Sequence, residues 1–430
     1  QALLLEDANG DNVAIGYQSL RTLNAGADAF NTAVGYFSGT SLNTGTQNTI
    51  IGAEAGTSLT TGTRNELIGY QAGDALVGGQ QNVAIGRSSL TTDVEGQRSV
   101  AIGTGALQTQ NFSSATQTYN TAVGHSAGIA ITTGTANTII GGLAGDALTD
   151  ADFNVAIGKE ALTSDTLGSR SVAIGQHALQ VQNFTSATNT YNVAVGYDAG
   201  VAVTTAVQSV YIGGLAGDAD QTGGKNVYVG YSAGTANAGD QNVFIGRNAG
   251  GAITDGDKNT IIGTYDGNEG GLDIRTSDNN IVLSDGDGNP RVHIDSSGNF
   301  QVGLYTTATT AAVGLLPNVD SGGFVGIDKT SSGADGDRFV KFSRANTQIG
   351  TISMSGTTGV SYNTSSDYRL KENVVTDWDA TTRLKKLKPS RFNFIADADT
   401  TVDGFLAHEV QEIVPEAITG TKDAVDADGN

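Results

Sequence analysis

Few residues of this sequence have the types and the spacing that catalysis or metal binding requires. Cysteine is absent, which excludes a disulfide framework, a thiolate nucleophile and cysteine-ligated zinc. Asp285, Asp287 and Asn289 are spaced like the first ligands of a calcium loop, but Pro290 stands where that loop needs glycine, so we interpret them as a turn. We predict no metal site and no cofactor, and we assign no role to three scattered histidines: His125, His177 and His293.

Composition narrows the possible partners. The 430 residues include 60 glycines and carry a formal net charge of −21, which opposes binding to DNA or RNA. No apolar run approaches the ~18 residues of a membrane helix. No signal peptide is visible after Gln1, and we expect a processed chain or a segment of a longer one. The sequence therefore predicts neither nucleic-acid binding nor membrane insertion.

Internal repetition dominates residues 12–267. A unit of the form Asn-(Val/Thr)-x-(Ile/Val)-Gly recurs fifteen times, and ten of the fourteen steps between its glycines share the length of the step from Gly35 to Gly52. The two longest steps carry nearly the same insertion, at 106–124 and 178–196. The second insertion follows the first after four repeats, which indicates the duplication of a four-repeat block.

Each repeat predicts a short strand followed by a tight turn. The residue before the glycine is Ile eleven times and Val four times, and we interpret this β-branched position as pointing inward. The preceding residue then points outward; it is Ala in eight repeats but Tyr211, Tyr228, Phe244 and Ile261 near the end. The leading Asn, present twelve times, is expected to stack into an amide ladder.

A strand this short cannot bury its face alone, and stacking of successive repeats solves this. At ~4.8 Å per strand, fifteen rungs give a rod on the order of 70 Å long. We predict an all-β fold, a parallel β-roll or solenoid of about fifteen turns. Parallel association of several copies would cover the outward positions, and threefold symmetry is one arrangement that would close such an assembly.

The segments NVAIGYQSL, NTAVGYFSG, NVAIGRSSL and NVFIGRNAG resemble the head repeats of trimeric autotransporter adhesins, the YadA-like left-handed β-roll. The likeness covers roughly residues 12–267, after a lead-in at 1–11. It departs from the family in period, because the adhesin head uses a shorter repeat than this chain does. The left hand and the threefold symmetry are what this resemblance implies.

Variable positions on the regular scaffold are candidates for recognition. The residues directly after the repeat glycines vary freely, and they are either receptor-facing or part of a solvated surface with some packing between chains. The two insertions pair aromatic residues with amides, a composition that suits sugars and equally suits a cluster that caps the roll; these aromatics are Phe112, Tyr119, Phe184 and Tyr191. The possible receptor-facing residues are Tyr17, Tyr36, Tyr70, Arg87, Tyr197, Tyr231 and Arg247.

The repeat pattern ends after Gly267. Residues 268–365 alternate short apolar runs with turns and predict a β-rich neck, beginning with hairpins at 268–303. From residue 366 the motifs SDYRLKEN, LKKLKPSRFNF and GFLAHEVQEIVPE follow in order. Together they resemble the endosialidase-type intramolecular chaperone at the ends of phage tail spikes and fibres. Residues 366–430 would then be the N-terminal part of a partial α+β chaperone domain.

In that family the domain trimerises, assists folding of the upstream fibre and releases itself by cutting before the motif serine. The family's Ser-Lys dyad falls here on Ser366 and Lys371, with cleavage between Ser365 and Ser366. A serine needs a base to attack, and lysine serves only if its surroundings lower its pKa. A matured fibre would end at Ser365, so either cleavage does not occur here or the chain is part of a precursor.

These features predict a homotrimeric phage tail-fibre protein located in the virion tail, which contacts other tail proteins and a glycan or protein receptor on the host surface. The main alternative is a bacterial surface adhesin built from the same rolls. A third is a polysaccharide-degrading tail spike, but that enzyme needs paired carboxylates in a groove and the regular repeats offer no obvious pair. Self-cleavage is the only chemistry that the sequence indicates.

Overall fold

The chain divides into two compact units, residues 1–314 and 315–430. We describe each unit separately. Within them, the computed structural model describes residues 1–5, 10–26, 28–236, 239–298, 300–302, 338–344, 347–355, 359–364, 373, 375–395 and 397–418.

The first unit is a β-solenoid. Its three-residue strands pair in parallel and in register, so that Ala14 lies opposite Ala33 and Ala156 opposite Ala173. In chain order the strands are β1 Val13–Ile15, β2 Thr32–Val34, β3 Thr49–Ile51, β4 Glu66–Ile68, β5 Val83–Ile85, β6 Gly96–Gln97, β7 Val100–Ile102, β8 Thr116–Gln117, β9 Thr121–Val123, β10 Thr138–Ile140, β11 Val155–Ile157, β12 Gly168–Ser169, β13 Val172–Ile174, β14 Thr188–Asn189, β15 Val193–Val195, β16 Val210–Ile212, β17 Val227–Val229, β18 Val243–Ile245, β19 Thr260–Ile262, β20 Ile281–Ser284, β21 Pro290–Ile294 and β22 Phe300–Val302.

The solenoid contains one rung more than the sequence repeats indicate. Strand β20 pairs in parallel with β19, with Ile261 opposite Val282, and makes the sixteenth rung of the sheet. Strands β21 and β22 then continue the sheet in the antiparallel sense, as the hairpins predicted for 268–303 require. The parallel ladder therefore extends past residue 267. The short strands of the two insertions form separate pairs, β6 with β8 and β12 with β14.

The prediction of which strand face is buried was wrong. The middle residue of each rung points into the core: Ala33, Leu67 and Tyr211 are fully buried. The β-branched residue before the glycine points outward, and Ile15 is 60% exposed while Ile140 is 38% exposed. The reason is the narrow interior, which accepts only the middle residue of each three-residue strand beside the buried turn residues, whereas β-branched residues fit the pleated outer surface.

Two positions share the interior volume of each rung. Where the central residue is alanine, as at Ala84, the residue six positions later can be a buried leucine, Leu90. Where the central residue is large, as at Phe244, that later position is glycine, and a Cβ on Gly250 would overlap the Phe244 ring. A large central residue is thus always followed by glycine at this position, whereas alanine occurs with leucine, as in Ala84 and Leu90, or with glycine, as in Ala33 and Gly39.

The predicted asparagine ladder is present inside the solenoid. The Asn65 side-chain amide donates to the Gly79 carbonyl at 2.9 Å and to Asn48 Oδ1 at 3.1 Å. Its Oδ1 accepts the backbone N–H of Asn82 at 3.0 Å. The repeat glycines allow the rungs to stack closely: Gly86 has a φ of +137°, and a Cβ there would lie 2.5 Å from the Gly103 carbonyl oxygen.

The second unit combines two small antiparallel sheets with short helices. Within its described residues from 373 to 418, no side chain is buried. No helix among the described residues of the chain is long and apolar enough to cross a bilayer. The elements are β23 Arg338–Arg344, β24 Thr347–Ser355, β25 Gly359–Thr364, α1 Ala380–Leu384, β26 Ser390–Phe394, β27 Asp397–Gly404, α2 Ala407–Gln411 and a 3-10 turn at Pro415–Ala417.

Candidate functional site

The outer face of the solenoid sheet is apolar. We call the first and third residues of the sixteen rungs the outer stripe, since both point away from the core. Ile212 and Ile262 in this stripe are 40% and 45% exposed. The stripe runs from Val13 to Leu283, and all of its residues except Glu66 are Val, Ile, Leu or Thr. A continuous apolar face of this extent is typical of an interaction surface.

The seven possible receptor-facing residues lie in one column beside the outer stripe, because the rungs that carry them are in register. All seven are exposed. Tyr17 and Tyr36 stack with their ring centroids 5.5 Å apart, and the Phe37 ring packs edge-on against both. The column is interrupted at small residues such as Ala53 and Gly214. It presents four separate groups of side chains, at 17–36, 70–87, 197 and 231–247.

The insertion aromatics divide into two kinds. Phe112 and Phe184 are each 8% exposed and therefore buried. Tyr119 and Tyr191 are 52% and 51% exposed and project from the corner that precedes the ladder asparagine. Apart from Tyr119 and Tyr191, the residues of this corner were not predicted from the sequence, although the position before the repeat asparagine is as easy to locate as the position after the glycine.

Buried carboxylates replace the amide ladder where serine interrupts it. Beside Ser99, the Gln110 side chain donates to Asp93 Oδ2 at 2.6 Å and to Ser99 Oγ at 2.8 Å, while its Oε1 accepts from Asn120. Desolvation raises the pKa of Asp93 above its usual range. The same network recurs one four-repeat block later, around Asp165. All of its members lie inside the solenoid, so we assign them a structural role.

Ser365, Ser366 and Lys371 lie outside the described residues, so their catalytic assignment stays a prediction. In the described segment that follows, Arg383 connects the short elements. Its Nε donates to the Ile413 carbonyl at 2.7 Å, and its guanidinium pairs with Glu416 at 2.6 Å and lies over the Trp378 ring. The Asp379 side chain caps α1 by accepting from the Thr382 N–H at 3.2 Å.

Comparison with known proteins bears on this C-terminal segment. Residues 366–419 match the family model described as chaperone of endosialidase. The match confirms the resemblance of the three C-terminal motifs, and it covers a small part of the chain. No curated protein and no solved structure matches the chain. The resemblance of the repeats to YadA-like heads accordingly stays a prediction.

Proposed function

We propose that this chain is a homotrimeric tail-fibre protein of a phage, located in the virion tail, which attaches to the host surface. The observation that carries the proposal is the presence in one chain of a sixteen-rung β-solenoid and an endosialidase-type chaperone segment. The solenoid supplies a regular scaffold of stacked rungs. The C-terminal segment supplies the means to bring copies together while the scaffold folds.

The exposure of apolar residues supports assembly from several copies. The outer stripe leaves one side of every rung partly exposed, which association of copies would cover. In the second unit, Leu384 is 67% exposed and Phe394 is 61% exposed, and its described residues from 373 to 418 have no buried side chain of their own. A threefold arrangement is what the resemblance to adhesin heads implies.

The chaperone segment would release itself after assembly. In this mechanism, neutral Lys371 takes the Ser366 hydroxyl proton as Oγ attacks the Ser365 carbonyl carbon. The C–N bond breaks, the proton passes to the leaving Ser366 amine, and an ester joins Ser365 to Ser366 Oγ. Water then hydrolyses the ester to a Ser365 carboxylate and the Ser366 hydroxyl. Burial of Lys371 by assembly would lower its pKa and couple cleavage to folding.

Mass spectrometry of the expressed full chain tests this mechanism. We expect one fragment that ends at Ser365 and another that begins at Ser366. Ser366→Ala and Lys371→Ala should leave the chain uncut, while the control Ser365→Ala should cleave because the Ser365 side chain takes no part in the reaction. A normal pair of fragments from Ser366→Ala would overturn the assignment. Electrophoresis with and without boiling reports the oligomer in the same samples.

The column of Tyr17, Tyr36, Tyr70, Arg87, Tyr197, Tyr231 and Arg247 is one candidate contact surface for a host glycan or protein. We expect binding without breakdown of the receptor. Incubation of the purified fibre with a bacterial surface polysaccharide should leave the polymer length unchanged. Progressive shortening of the polymer would instead favour a degrading tail spike.

A further inference from the structure

A second surface row lies at the corner before each ladder position. We call it the corner row; its fifteen residues are Phe30, Gln47, Arg64, Gln81, Arg98, Tyr119, Ala136, Phe153, Arg170, Tyr191, Gln208, Lys225, Gln241, Lys258 and Asn279. All are exposed except Ala136, which is half-buried. Five of these fifteen carry positive charge, four are aromatic and none is acidic, whereas Asp11 precedes the ladder position of the first rung, Asn12. This composition contrasts with a chain that has 44 acidic and 23 basic residues.

The backbone of the corner row disfavours the side chains it carries. All fifteen residues have a positive φ, from +52° at Tyr119 to +67° at Arg170. Glycine adopts this conformation without strain, whereas other residues lose roughly 1 kcal/mol or more. Although the chain contains 60 glycines, none stands in this row. The same backbone conformation recurs elsewhere in the rungs, as at the buried Leu90, so the chemistry of its exposed side chains is what distinguishes the corner row.

Two groups in the central part of the row hold an arginine beside aromatic rings. The Arg98 guanidinium lies 5.5 Å from the Tyr119 ring centroid and donates to the Tyr119 hydroxyl at 2.5 Å. The Arg170 guanidinium lies 4.7 Å from the Phe153 centroid and 6.0 Å from the Tyr191 centroid. Neither arginine pairs with a carboxylate in the part of the chain that the structure describes. Their charges are positioned by neutral neighbours and available to a ligand.

Amides complete each group. Gln81 Oε1 accepts from Arg98 Nε at 3.0 Å, and Asn189 Oδ1 accepts from Arg170 Nε at 3.0 Å. Asp152, which directly precedes Phe153, uses Oδ1 to accept the N–H and hydroxyl of Thr135. Toward the C-terminal end this changes, because Asp257 directly precedes Lys258. Arg64, nearer the N-terminal end of the row, likewise donates to an amide, Gln47 Oε1 at 2.9 Å, so the aromatic contacts distinguish the two central groups.

The two groups repeat at a fixed distance. Arg98 and Arg170 are separated by four rungs, or ~19 Å at ~4.8 Å per strand. A ligand that engages both must itself be long and carry negative charge at intervals. Exposed aromatic rings stack on the apolar faces of sugar rings, while arginine and amide side chains bind carboxylates and hydroxyls. A hexose in an extended chain also advances by a distance close to the rung spacing.

We propose that the central corner row binds an anionic polysaccharide laid along the solenoid, with Arg98 and Arg170 on its carboxylates and Tyr119, Phe153 and Tyr191 on its sugar rings. This inference rests on the proposed role in host-surface attachment and assigns the ligand class and the site. Because two equivalent groups act on one polymer, the second contact forms at a high effective concentration, so that long chains bind more tightly than short ones.

Calorimetry with the full chain and two carboxylated probes, polygalacturonate and hyaluronate, tests the proposal. At least one probe should bind, more weakly at high salt. Arg98→Gln with Arg170→Gln should weaken binding about tenfold or more. Glutamine already occupies four positions of this row, so the fold should tolerate the change. The matched control Lys258→Gln, in the same row but beside Asp257, should bind like the unmodified chain.

A further pair of variants and a further ligand distinguish sugar recognition from general charge attraction. Tyr119→Gln with Tyr191→Gln should weaken polysaccharide binding but leave binding of polyglutamate, a polyanion without sugars, unchanged. The proposal is overturned if neither probe binds, or if Lys258→Gln weakens binding as much as the double arginine variant does. It is also overturned if the double arginine variant has a different oligomer mass, because the corner row would then lie between subunits. If Arg87→Gln abolishes binding and the corner-row variants do not, the polysaccharide binds the column of seven receptor-facing residues. That result would overturn this inference but agree with the proposed role in host attachment.

Discussion

The Tyr211 hydroxyl donates a hydrogen bond to Asp220 Oδ2 at 2.9 Å, with both side chains fully buried in the solenoid. Asn226 donates to the same oxygen at 3.0 Å. Ser209 interrupts the asparagine ladder at this point. The Asp220 carboxylate therefore accepts the hydrogen bond that an asparagine Oδ1 accepts in other rungs, such as Asn48 Oδ1 from Asn65. Desolvation outweighs these hydrogen bonds and raises the pKa of Asp220 to about 6.

The raised pKa predicts that the solenoid is more stable in mild acid. Since the folded-state pKa of about 6 exceeds the usual 3.8, the contribution of Asp220 is complete below pH 4 and is lost as pH rises through 6. Its size is about 3 kcal/mol. Thermal unfolding should show a lower midpoint at pH 8 than at pH 5, and Asp220→Asn should reduce that difference. An equal difference in Asp220→Asn, with exposed Asp255→Asn as control, would contradict this assignment.

The amide ladder predicts a large effect from one buried side chain. Asn65→Ala removes two donated hydrogen bonds and leaves the Asn82 N–H without its acceptor, at a cost of about 3 kcal/mol. Asn65→Ser should be nearly as unfavourable, because its rung lacks a glutamine such as Gln110, which completes the hydrogen bonds beside Ser99. Denaturant unfolding measures both. A loss under about 0.5 kcal/mol for either variant would contradict a structural ladder.

Complementary core volumes predict a rescue. Ala84→Phe alone should destabilise the solenoid by about 1–3 kcal/mol, because Leu90 already fills the space. Ala84→Phe with Leu90→Gly should recover most of that loss, since it recreates the Phe244 and Gly250 pair and the positive φ of Leu90 suits glycine. Comparison of the melting temperatures of the single and double variants tests this prediction. A double variant no more stable than Ala84→Phe would show that the two positions do not share a volume.

The outer stripe predicts an assembly defect without a folding defect. Ile140→Asp with Ile157→Asp places charges on adjacent rungs of the outward face, where each copy would repeat them at the interface. The oligomer should dissociate, while the circular dichroism of the solenoid stays close to that of the unmodified chain. Asn111→Asp, at an exposed position away from the stripe, is the control. Retention of the oligomer in the stripe variant would place the interface elsewhere.

The repeat period and the ladder were predictable because both arise from local backbone requirements. Asparagine at a corner and glycine after the strand recur at nearly fixed spacing, and parallel register follows. The sixteenth rung was missed because Ser284 stands at the glycine position and the step from Gly263 to it is longer than the usual repeat.

The buried face was not predictable from strand propensity. Ile and Val before the glycine suggested burial, but β-branched residues also suit an outer pleated surface. The informative signal was that every large central residue, such as Phe244, is followed six positions later by glycine, such as Gly250, where a Cβ would overlap the ring. The repeats predicted where the surface residues lie. They did not predict what these residues bind, because binding depends on several side chains that act together.

The central claim is that several copies of the chain cover the outer stripe, and the mass of the protein in solution tests it most directly. Light scattering during size-exclusion chromatography of the uncut Ser366→Ala variant should give three times the chain mass of 43.8 kDa. A single species at 43.8 kDa across micromolar concentrations would contradict the account, because the apolar face would then be stable in water without a partner.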